Sequence, residues 1–563
     1  MPVAAQVTLE EAMQIALRNY NAGNYIVADR AYRDVLQSIP DHPPALHHLG
    51  IVCFARGNLT EALQYIEKSV QAEPENSYYL NNYGVVVSES GQREKALEIW
   101  GRAAKHDPKY ADPHSNSANT LWQLKRYEDA RDAAARALAI DPKLPDGLLN
   151  MGSALAGMGN VKEAVKYWRK AVKVRPDFDK AYNNLGNALR DMGELKESEA
   201  ACLRGLEINP KNAQIWSNLG NARRDLGNAK AAEECYRKAV SLQPNYAAAH
   251  NNLAVCLIDQ GRFQEALEAA RYAIAFNPDY AEAYANLSLV QRELGDYAEA
   301  EAAAQKAITL QPQAPSHYLD LADIMFMSDR FDEAEAALQK ARELSPDSPR
   351  VLLKLAAALE RGQRSDEALA TLDKALEMAP EFPEIYMRKA GVYFMTNRLD
   401  EAEKWINKLI AFKPEYAHAY ATLSEIAQSH GDMKKSEKLA RKAIKLNPRI
   451  PNFYFTLAKC VKFAKGAPEI KAMLGFVENE KSIGKHAAAS LHFALFEAFE
   501  DLGEYKTAFA HLKRGNELRR SLVNYTAQNN RLGIEKIKSV YTAAYLKTYK
   551  GKGYDSDRPI FIV

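Results

Sequence analysis

The small and apolar positions of this chain recur every 34 residues, and the recurring unit predicts two helices. Residues 184–193 return almost unchanged as residues 218–227, and thirteen prolines follow one another at the same spacing from Pro40 to Pro448. Proline offers no backbone N–H and keeps the preceding residue out of the helical region, so each of these prolines marks the end of a helix. When proline is given position 32, residues 9–450 divide into thirteen repeats.

Two further positions of the repeat carry small side chains. Position 8 is glycine, alanine or serine throughout, and position 20 is alanine except at Ser198 and Ser436. Larger side chains at these places would hold two helix axes apart. Each repeat is therefore predicted to be a pair of closely packed helices, here called the first and the second helix.

Position 15 is predicted to be the left-handed residue that closes the first helix. It is glycine in nine repeats, which suits that conformation. Asp329 and Asn397 replace glycine in two repeats, and both residue types tolerate a positive φ. Lys125 and Gln363 are expected to fit this position less well.

The repeat register fails after Pro448. Residues 465–468, Lys-Gly-Ala-Pro, interrupt the pattern, and a later unit carries Phe496 where position 8 should be small. The predicted segments are a leader at 1–8, the thirteen repeats at 9–450, a degenerate half repeat and break at 451–484, a repeat-like capping unit at 485–522, and one or two helices, a turn and a strand-type run at 523–563.

This pattern resembles the tetratricopeptide repeat (TPR), and the resemblance covers residues 9–450. It implies an all-α fold: a right-handed TPR superhelix, or α-α solenoid, of 13 regular repeats plus an irregular C-terminal helical cap. In such a superhelix the first helices line a concave groove. Stability is then mostly a sum over neighbouring repeats.

Asparagine occupies position 6 in seven successive repeats. Asparagine costs roughly 0.5 kcal/mol against alanine in a helix interior, so seven in register indicate a use. In the resembled fold position 6 faces the groove, and a carboxamide can bond both the N–H and the C=O of an extended peptide. The seven residues are Asn82, Asn116, Asn150, Asn184, Asn218, Asn252 and Asn286.

Positions 9, 12 and 13 lie near position 6 on the first helix and extend the predicted peptide-binding groove. Similar asparagine ladders occur in the TPR arms of O-linked N-acetylglucosamine transferases, a family that binds peptide substrates there. The alternative is that the asparagines bond neighbouring helices. The added candidates are Asn187, Asn221, Arg190, Asp191, Arg224 and Asp225.

Composition points to no other partner class. The net charge of +2 does not suggest a nucleic-acid binder, although residues 451–563 carry a net +7 that we ascribe to a solvated helical surface, with an anionic ligand as the alternative. The five cysteines form no C-x-x-C pair and are expected to be reduced core residues. No signal peptide and no apolar run of membrane-spanning length are evident, so we expect a cytoplasmic protein.

No catalytic or metal-binding motif is evident inside the repeats. The chain has no H-E-x-x-H, no G-x-S-x-G and no Walker loop. His47, His48 and His250 lie on predicted first helices, where histidine is more often structural than catalytic. We expect no metal site and no catalytic residue in the repeats.

Short blocks near the end of the chain resemble the junction region of bacterial TPR–sulfotransferase proteins. The blocks are residues 491–495, 499–505, 508–512, 515–520 and 556–563. The resemblance implies that the last run is the first strand of a sulfotransferase-like domain. A glycine-rich loop for 3′-phosphoadenosine 5′-phosphosulfate would follow it. Because the sequence stops at Val563, where that loop should begin, we expect no donor site and no cofactor within it.

Two interpretations of function remain open from the sequence. In the first, the chain is a protein-interaction scaffold that holds an extended polypeptide in the groove, as the substrate-recruiting arm of a sulfotransferase. In the second, it is a purely structural or assembly scaffold without a peptide ligand. The sequence does not predict an oligomeric state.

Overall fold

The computed structural model describes residues 8–328, 330–478 and 480–521, and five further residues between 531 and 539. Within these residues the protein is entirely helical, with 31 helices and no strand. The chain divides into two units, residues 1–312 and 313–563, which are described separately.

The described part of the first unit contains eighteen helices. They are α1 (Leu9–Asn21), α2 (Tyr25–Ser38), α3 (Pro43–Ala55), α4 (Leu59–Ala72), α5 (Ser77–Glu89), α6 (Arg93–His106), α7 (Asp112–Gln123), α8 (Tyr127–Ile140), α9 (Pro145–Gly157), α10 (Val161–Val174), α11 (Asp179–Asp191), α12 (Leu195–Ile208), α13 (Ala213–Asp225), α14 (Ala229–Leu242), α15 (Ala247–Asp259), α16 (Phe263–Phe276), α17 (Ala281–Leu294) and α18 (Tyr297–Leu310).

The described part of the second unit contains thirteen helices. They are α19 (Pro315–Met327), α20 (Phe331–Leu344), α21 (Pro349–Arg361), α22 (Ser365–Met378), α23 (Pro383–Met395), α24 (Leu399–Phe412), α25 (Ala417–Ser429), α26 (Met433–Leu446), α27 (Pro451–Ala458), α28 (Pro468–Glu478), α29 (Glu480–Ile483), α30 (Lys485–Asp501) and α31 (Tyr505–Arg520).

Within each unit the helices pack in consecutive pairs. Each odd-numbered helix up to α25 packs against the helix that follows it, and each second helix also contacts the next first helix of its unit. The buried residues form a series of local clusters along the chain. The predicted all-α solenoid of helix pairs is confirmed.

The small residue at position 8 makes room for a large side chain on the second helix. A Cβ on Gly84 would lie 2.4 Å from Trp100 Nε1, and a Cβ on Gly152 would lie 2.5 Å from Trp168 Nε1. Each indole N–H donates to a carbonyl of the paired first helix, 3.0 Å away for Trp100 and 3.1 Å for Trp168. In these two repeats glycine at position 8 therefore makes room for the indole between the paired helices.

The described residues at position 15 take the left-handed conformation whichever side chain they carry. Lys125 has a φ of 61° and Gln363 a φ of 58°, close to the 58° of Asn397. Lys125 and Gln363 both take the left-handed conformation. Their expected poorer fit at this position is therefore a matter of strain energy and not of backbone geometry. Asp329 lies outside the described residues.

Glycine at these two positions is expected to stabilise the protein. A non-glycine residue in the left-handed region is strained by about 1–2 kcal/mol, so Lys125→Gly and Gln363→Gly should each raise the free energy of unfolding by about 1 kcal/mol. Urea denaturation followed by circular dichroism measures the change. Lys306→Gly, in the interior of α18, should instead lower the free energy of unfolding by about 1 kcal/mol. Changes of the same sign in all three variants would contradict the argument.

The regular pairing changes after α26. Helix α27 has only 8 residues, and the short helices α28 and α29 lie between it and α30. Helices α30 and α31 form a long pair in which Gly515 lies against the ring of Phe493, while Phe496 is half-buried. The helices predicted around 525–550 and the strand-type run at 558–563 lie outside the described residues, apart from five helical positions between 531 and 539.

The cysteines are free, as their spacing predicts. Cys53, Cys202, Cys235 and Cys256 are buried, and Cys460 is half-buried. Burial raises the pKa of the Cys53 thiol to about 11, and nearby carboxylates add to the shift. These side chains act as small apolar core residues.

Candidate functional site

The seven position-6 asparagines all lie on first helices of the first unit. They occupy α5, α7, α9, α11, α13, α15 and α17 in turn, and Asn150 is buried while the others are half-buried. The surface of these helices that carries positions 6, 9, 12 and 13 is here called the groove face.

Six of the seven carboxamides bond the preceding first helix, with the residue 35 positions earlier as partner. In each case the amide N–H donates, so this group ties neighbouring repeats together. The bonds run from Nδ2 of Asn82 to His47 Nε2 (3.1 Å), Asn116 to Asn81 Oδ1 (2.9 Å), Asn150 to the Ser115 carbonyl (2.8 Å), Asn218 to Asn183 Oδ1 (2.9 Å), Asn252 to Ser217 Oγ (3.2 Å) and Asn286 to Asn251 Oδ1 (2.8 Å).

The carbonyl oxygens of these six carboxamides are not used in the same way. No donor among the described residues bonds any of the six oxygens, and none belongs to the buried atoms without a partner, so each oxygen reaches solvent. The N–H groups of these carboxamides therefore make the hydrogen bonds to neighbouring helices that the sequence left open as the alternative to peptide binding. Except at the buried Asn150, each of these six carboxamides thus keeps an unbonded acceptor on the groove face.

Asn184 is the exception in the series. The residue 35 positions earlier is Leu149, whose side chain offers no acceptor and belongs to the apolar core. Asn184 makes only long contacts: its Nδ2 lies 3.4 Å from Ser153 Oγ, and its Oδ1 lies 3.4 Å from Asn183 Nδ2. This carboxamide is the least engaged of the seven.

A pocket of about 530 Å³ opens where the series is interrupted. Among consecutive first helices of the first unit, α9 and α11 pack least closely against each other. Asn184, Asn187, Asp191 and Asn218 lie together in the wall of the pocket, so four predicted site residues share one cavity. Asn187 is exposed and has no hydrogen-bond partner in the described part of the chain.

Three aromatic residues also line the pocket. Trp122 on α7 and Tyr127 on α8 face it together with Trp168 of α10. Trp122 is 42% exposed, and its indole N–H has no acceptor among the described residues. Gly157 lets Tyr127 lie across α9, because a Cβ there would sit 2.4 Å from Tyr127 Cδ1.

Tyr246 lines the pocket from the α14–α15 loop. Burial raises the pKa of its phenol, while a hydrogen bond with Ser217 acts in the opposite direction. The same Ser217 hydroxyl accepts from Asn252, so the pocket wall is continuous with the inter-repeat bonds of the groove face.

Asn221 corrects the predicted set of groove residues. Its side chain is buried, and its Oδ1 accepts from the Tyr236 hydroxyl at 2.7 Å within the helix pair α13–α14. The reason is Gly220, which makes room for the Tyr236 ring (a Cβ there would lie 2.6 Å from the ring) and so brings the hydroxyl to Asn221. The oxygen of this carboxamide is therefore bonded inside the helix pair and is not available to a ligand.

The four charged candidates pair with one another. Arg190 bonds Asp191 at 2.8 Å and lies 3.7 Å from Asp225, which lies 3.6 Å from Arg224. Two positive and two negative side chains thus form one chain of ion pairs at the ends of α11 and α13. Their charges largely cancel, so this part of the groove face presents no strong field to a ligand.

Sequence reasoning missed the aromatic wall of the pocket. Tyrosine and tryptophan fill gaps between helices throughout the chain, so Trp122, Tyr127 and Trp168 carry no distinctive signal. Gly157 does carry one: it occupies position 13, where the next four repeats have an acidic residue. A glycine there exposes the helix backbone and admits a neighbouring ring.

The described residues hold no cluster of three or more histidine, cysteine or acidic side chains placed to bind a metal ion. In the second unit, His492 and His511 are joined by a 2.8 Å contact between Nδ1 atoms, with Glu480 3.2 Å from the other nitrogen of His492. No helix in the described part of the chain combines the length and apolarity needed to cross a membrane.

Protein-family comparisons match most of the repeat region. Models described as "Tetratricopeptide repeat" match residues 13–77, 88–151, 179–212 and 417–450, and one described as "TPR repeat" matches 157–193. A model described as "Cilia and flagella-associated protein 70 C-terminal domain" matches residues 204–415.

Individual relatives are distant. An uncharacterized protein of Aquifex aeolicus (strain VF5) is 31% identical over 99 residues, which are 18% of this chain and only 13% of that protein's length. Among solved structures, the APC/C hetero-tetramer Cut9–Hcn1 is 13% identical, covers 80% of this chain and 96% of its own, and has a TM-score of 0.47. YrrB, described as a TPR protein with an unusual peptide-binding site, is 23% identical over 33% of this chain and 95% of its own, with a TM-score of 0.27.

Proposed function

Because the chain is a tetratricopeptide-repeat protein, we propose that it is an interaction scaffold that binds an extended polypeptide on the groove face of residues 77–312. The partner is a protein segment without its own helical or sheet structure, whose backbone groups are free to bond side chains. The five free cysteines favour a reducing compartment, and the proposal places the scaffold in the cytoplasm.

One observation carries this proposal: a series of oriented carboxamides keeps its acceptors free. In Asn116, Asn218 and Asn286 the N–H is fixed by the preceding helix, which holds the carbonyl oxygen in place. A fixed acceptor loses little rotational freedom when a ligand N–H binds it. A peptide backbone can supply such a donor regularly along its length.

The expected affinity is modest. A neutral hydrogen bond contributes about 0.5–1.5 kcal/mol net, and ordering an extended chain offsets much of the sum. The groove face is close to charge-neutral around Arg190 and Asp225, so steering by charge adds little. Affinities in the micromolar range follow from these terms.

Removing the two unengaged carboxamides is expected to weaken peptide binding. Phage display of unstructured 16-residue peptides against the full chain supplies ligands, and fluorescence polarisation measures their affinity. Asn184→Ala combined with Asn187→Ala should lower the affinity for these peptides on the order of tenfold, about 1.4 kcal/mol. Neither change breaks an inter-helix bond shorter than 3.4 Å, so the helix content should stay unchanged.

Asn407→Ala is the matched control. Asn407 is exposed on α24 and has no hydrogen-bond partner in the described residues. Binding should be unaffected by this change. Equal affinities in the control and in the double variant would overturn the proposal and favour the purely structural scaffold, which tolerates groove changes.

We also propose a recruiting role next to a sulfotransferase domain, in which the groove delivers a protein substrate. The support is the set of short blocks that resemble TPR–sulfotransferase junctions, four of which lie on α30, on α31 and at the turn between them. The donor would be 3′-phosphoadenosine 5′-phosphosulfate, held by that further domain. The intact mass of the gene product in its own host tests this role: a mass larger by a whole domain supports it, and the mass of residues 1–563 alone overturns it.

A further inference from the structure

We infer that the pocket between α9 and α11 is the anchor subsite of this groove and that it takes an aromatic side chain of the bound polypeptide. The inference rests on the proposed function and adds the chemistry of the partner. It is carried by three properties of the pocket: its aromatic lining with the exposed Trp122, a single charged lining residue that is paired with Arg190, and the carboxamides in its wall.

The exposed wall gives the anchor its contact surface. Trp122 is 42% exposed and its indole N–H is unused in the described structure, whereas the N–H groups of Trp100 and Trp168 are bonded to carbonyls. An exposed indole with a free polar edge is typical of side chains that dominate binding energy in protein interfaces. An aromatic partner gains about 0.5–1.5 kcal/mol beyond area burial when it stacks or meets such a ring edge-on.

Gly157 lines the pocket and makes room for the Tyr127 ring. Any larger residue at this position would push against Tyr127, since the nearest ring atoms are 2.4, 2.7 and 2.8 Å from a Cβ built there. With glycine, the Tyr127 ring lies against the end of α9 and lines the pocket together with Trp122. The next four repeats have acidic side chains at the same position, and in each case the repeat before lacks tyrosine at the position equivalent to Tyr127.

The pocket favours an uncharged anchor. Asp191 is the one formal charge in its lining, and that carboxylate bonds Arg190 at 2.8 Å. A volume of about 530 Å³ falls within the range of ordinary ligand pockets and exceeds the size of one side chain. The remaining space accommodates backbone next to the anchor, where Asn184 and Asn187 can bond its amides.

Defined peptides test the inference. The probes are fluorescein-labelled 13-residue peptides of alternating serine and alanine that differ only in the central residue, which is phenylalanine, leucine, lysine or alanine. Fluorescence polarisation with the full chain measures each affinity. The phenylalanine peptide should bind on the order of tenfold tighter than the alanine peptide, about 1.4 kcal/mol, and tighter than the leucine and lysine peptides.

Trp122→Ser should remove this preference selectively. The affinity of the phenylalanine peptide should fall to that of the alanine peptide. The affinity of the alanine peptide should change by no more than about twofold. Gly157→Ala should act in the same direction by displacing Tyr127. Tyr272→Ser is the matched control, because Tyr272 is an aromatic residue 55% exposed on α16, away from the pocket, and this change should leave both affinities unaltered.

The outcomes separate the inference from the proposed function. Equal binding of the phenylalanine and alanine peptides, or equal weakening of both by Trp122→Ser, overturns the aromatic anchor while groove binding stands. A preference for the leucine or lysine peptide overturns the aromatic anchor in the same way. If no probe binds and no displayed peptide is enriched, the proposed function fails, and the inference fails with it.

Discussion

Replacing Gly152 by alanine should lower the free energy of unfolding of the α9–α10 pair by about 3 kcal/mol. The added Cβ would lie 2.5–2.8 Å from three atoms of the Trp168 indole, which is almost fully buried. Either the ring or the helix must move. Movement of the ring also breaks its 3.1 Å hydrogen bond to the Leu149 carbonyl and leaves a buried N–H without a partner.

Local hydrogen exchange of the α9 and α10 amides measures the loss, since a solenoid can open repeat by repeat. Gly101→Ala is the matched control: Gly101 lies inside α6 with open space around its Cα, so alanine should stabilise that helix by about 0.5–1 kcal/mol. If both changes have the same small effect, close packing at position 8 is not the reason for its glycine.

A double-mutant cycle isolates the contact between these two residues. Ala118 faces the second-helix position taken by Ala134, so the fold accommodates a pair of alanines at these two positions. Gly152→Ala together with Trp168→Ala should therefore be less destabilising than the sum of the single changes, by about 2 kcal/mol. Strict additivity would contradict a direct clash.

The first three repeats should lose stability as the pH falls from about 6.5 to about 3. His47 is fully buried, its ring stacks on Tyr79 at 4.3 Å, and its Nε2 accepts from Asn82. Its Nδ1 has no partner, so the protonated ring gains nothing from folding. Burial first, and the adjacent His48 second, lower the pKa of His47 to about 3.

The direction follows from the lowered pKa. In the unfolded chain His47 binds a proton near pH 6.5, whereas in the folded chain it does not. The stability that neutral His47 contributes is therefore complete above that pH and declines as the pH falls towards 3. The slope is about 1.4 kcal/mol per pH unit, and the total reaches roughly 4–5 kcal/mol at the acid end of this range.

Hydrogen exchange of α3 and α5 between pH 7 and pH 4, corrected for intrinsic exchange, measures this decline. Exchange must be measured at individual helices because burial also lowers the pKa values of His492 and His511 in the second unit. His47→Gln keeps an acceptor for Asn82 without a titrating ring, so its slope should be much flatter. Parallel slopes in the two proteins would assign the acid sensitivity to other groups.

The sequence predicted the helix pairs, their ends and their close packing because each depends on residues that act locally. Proline at position 32 stops the second helix wherever it occurs. The backbone at position 15 turns left-handed even with Lys125 or Gln363, so the expected poorer fit of these two concerns strain energy and does not alter the geometry. The chemistry of the groove face was predicted in part, through its asparagines and charged side chains.

Only the tertiary structure decided which of these side chains a ligand could reach. Asn184 and Asn218 look equivalent in sequence, but Asn218 bonds Asn183 of the preceding helix whereas Asn184 meets the apolar Leu149. Asn221 is turned inwards by Tyr236, fifteen residues away. Local patterns determine where a helix lies, but a hydrogen bond or a pocket depends on the side chain that an adjacent helix places opposite, and that pairing is visible only once the helices are packed.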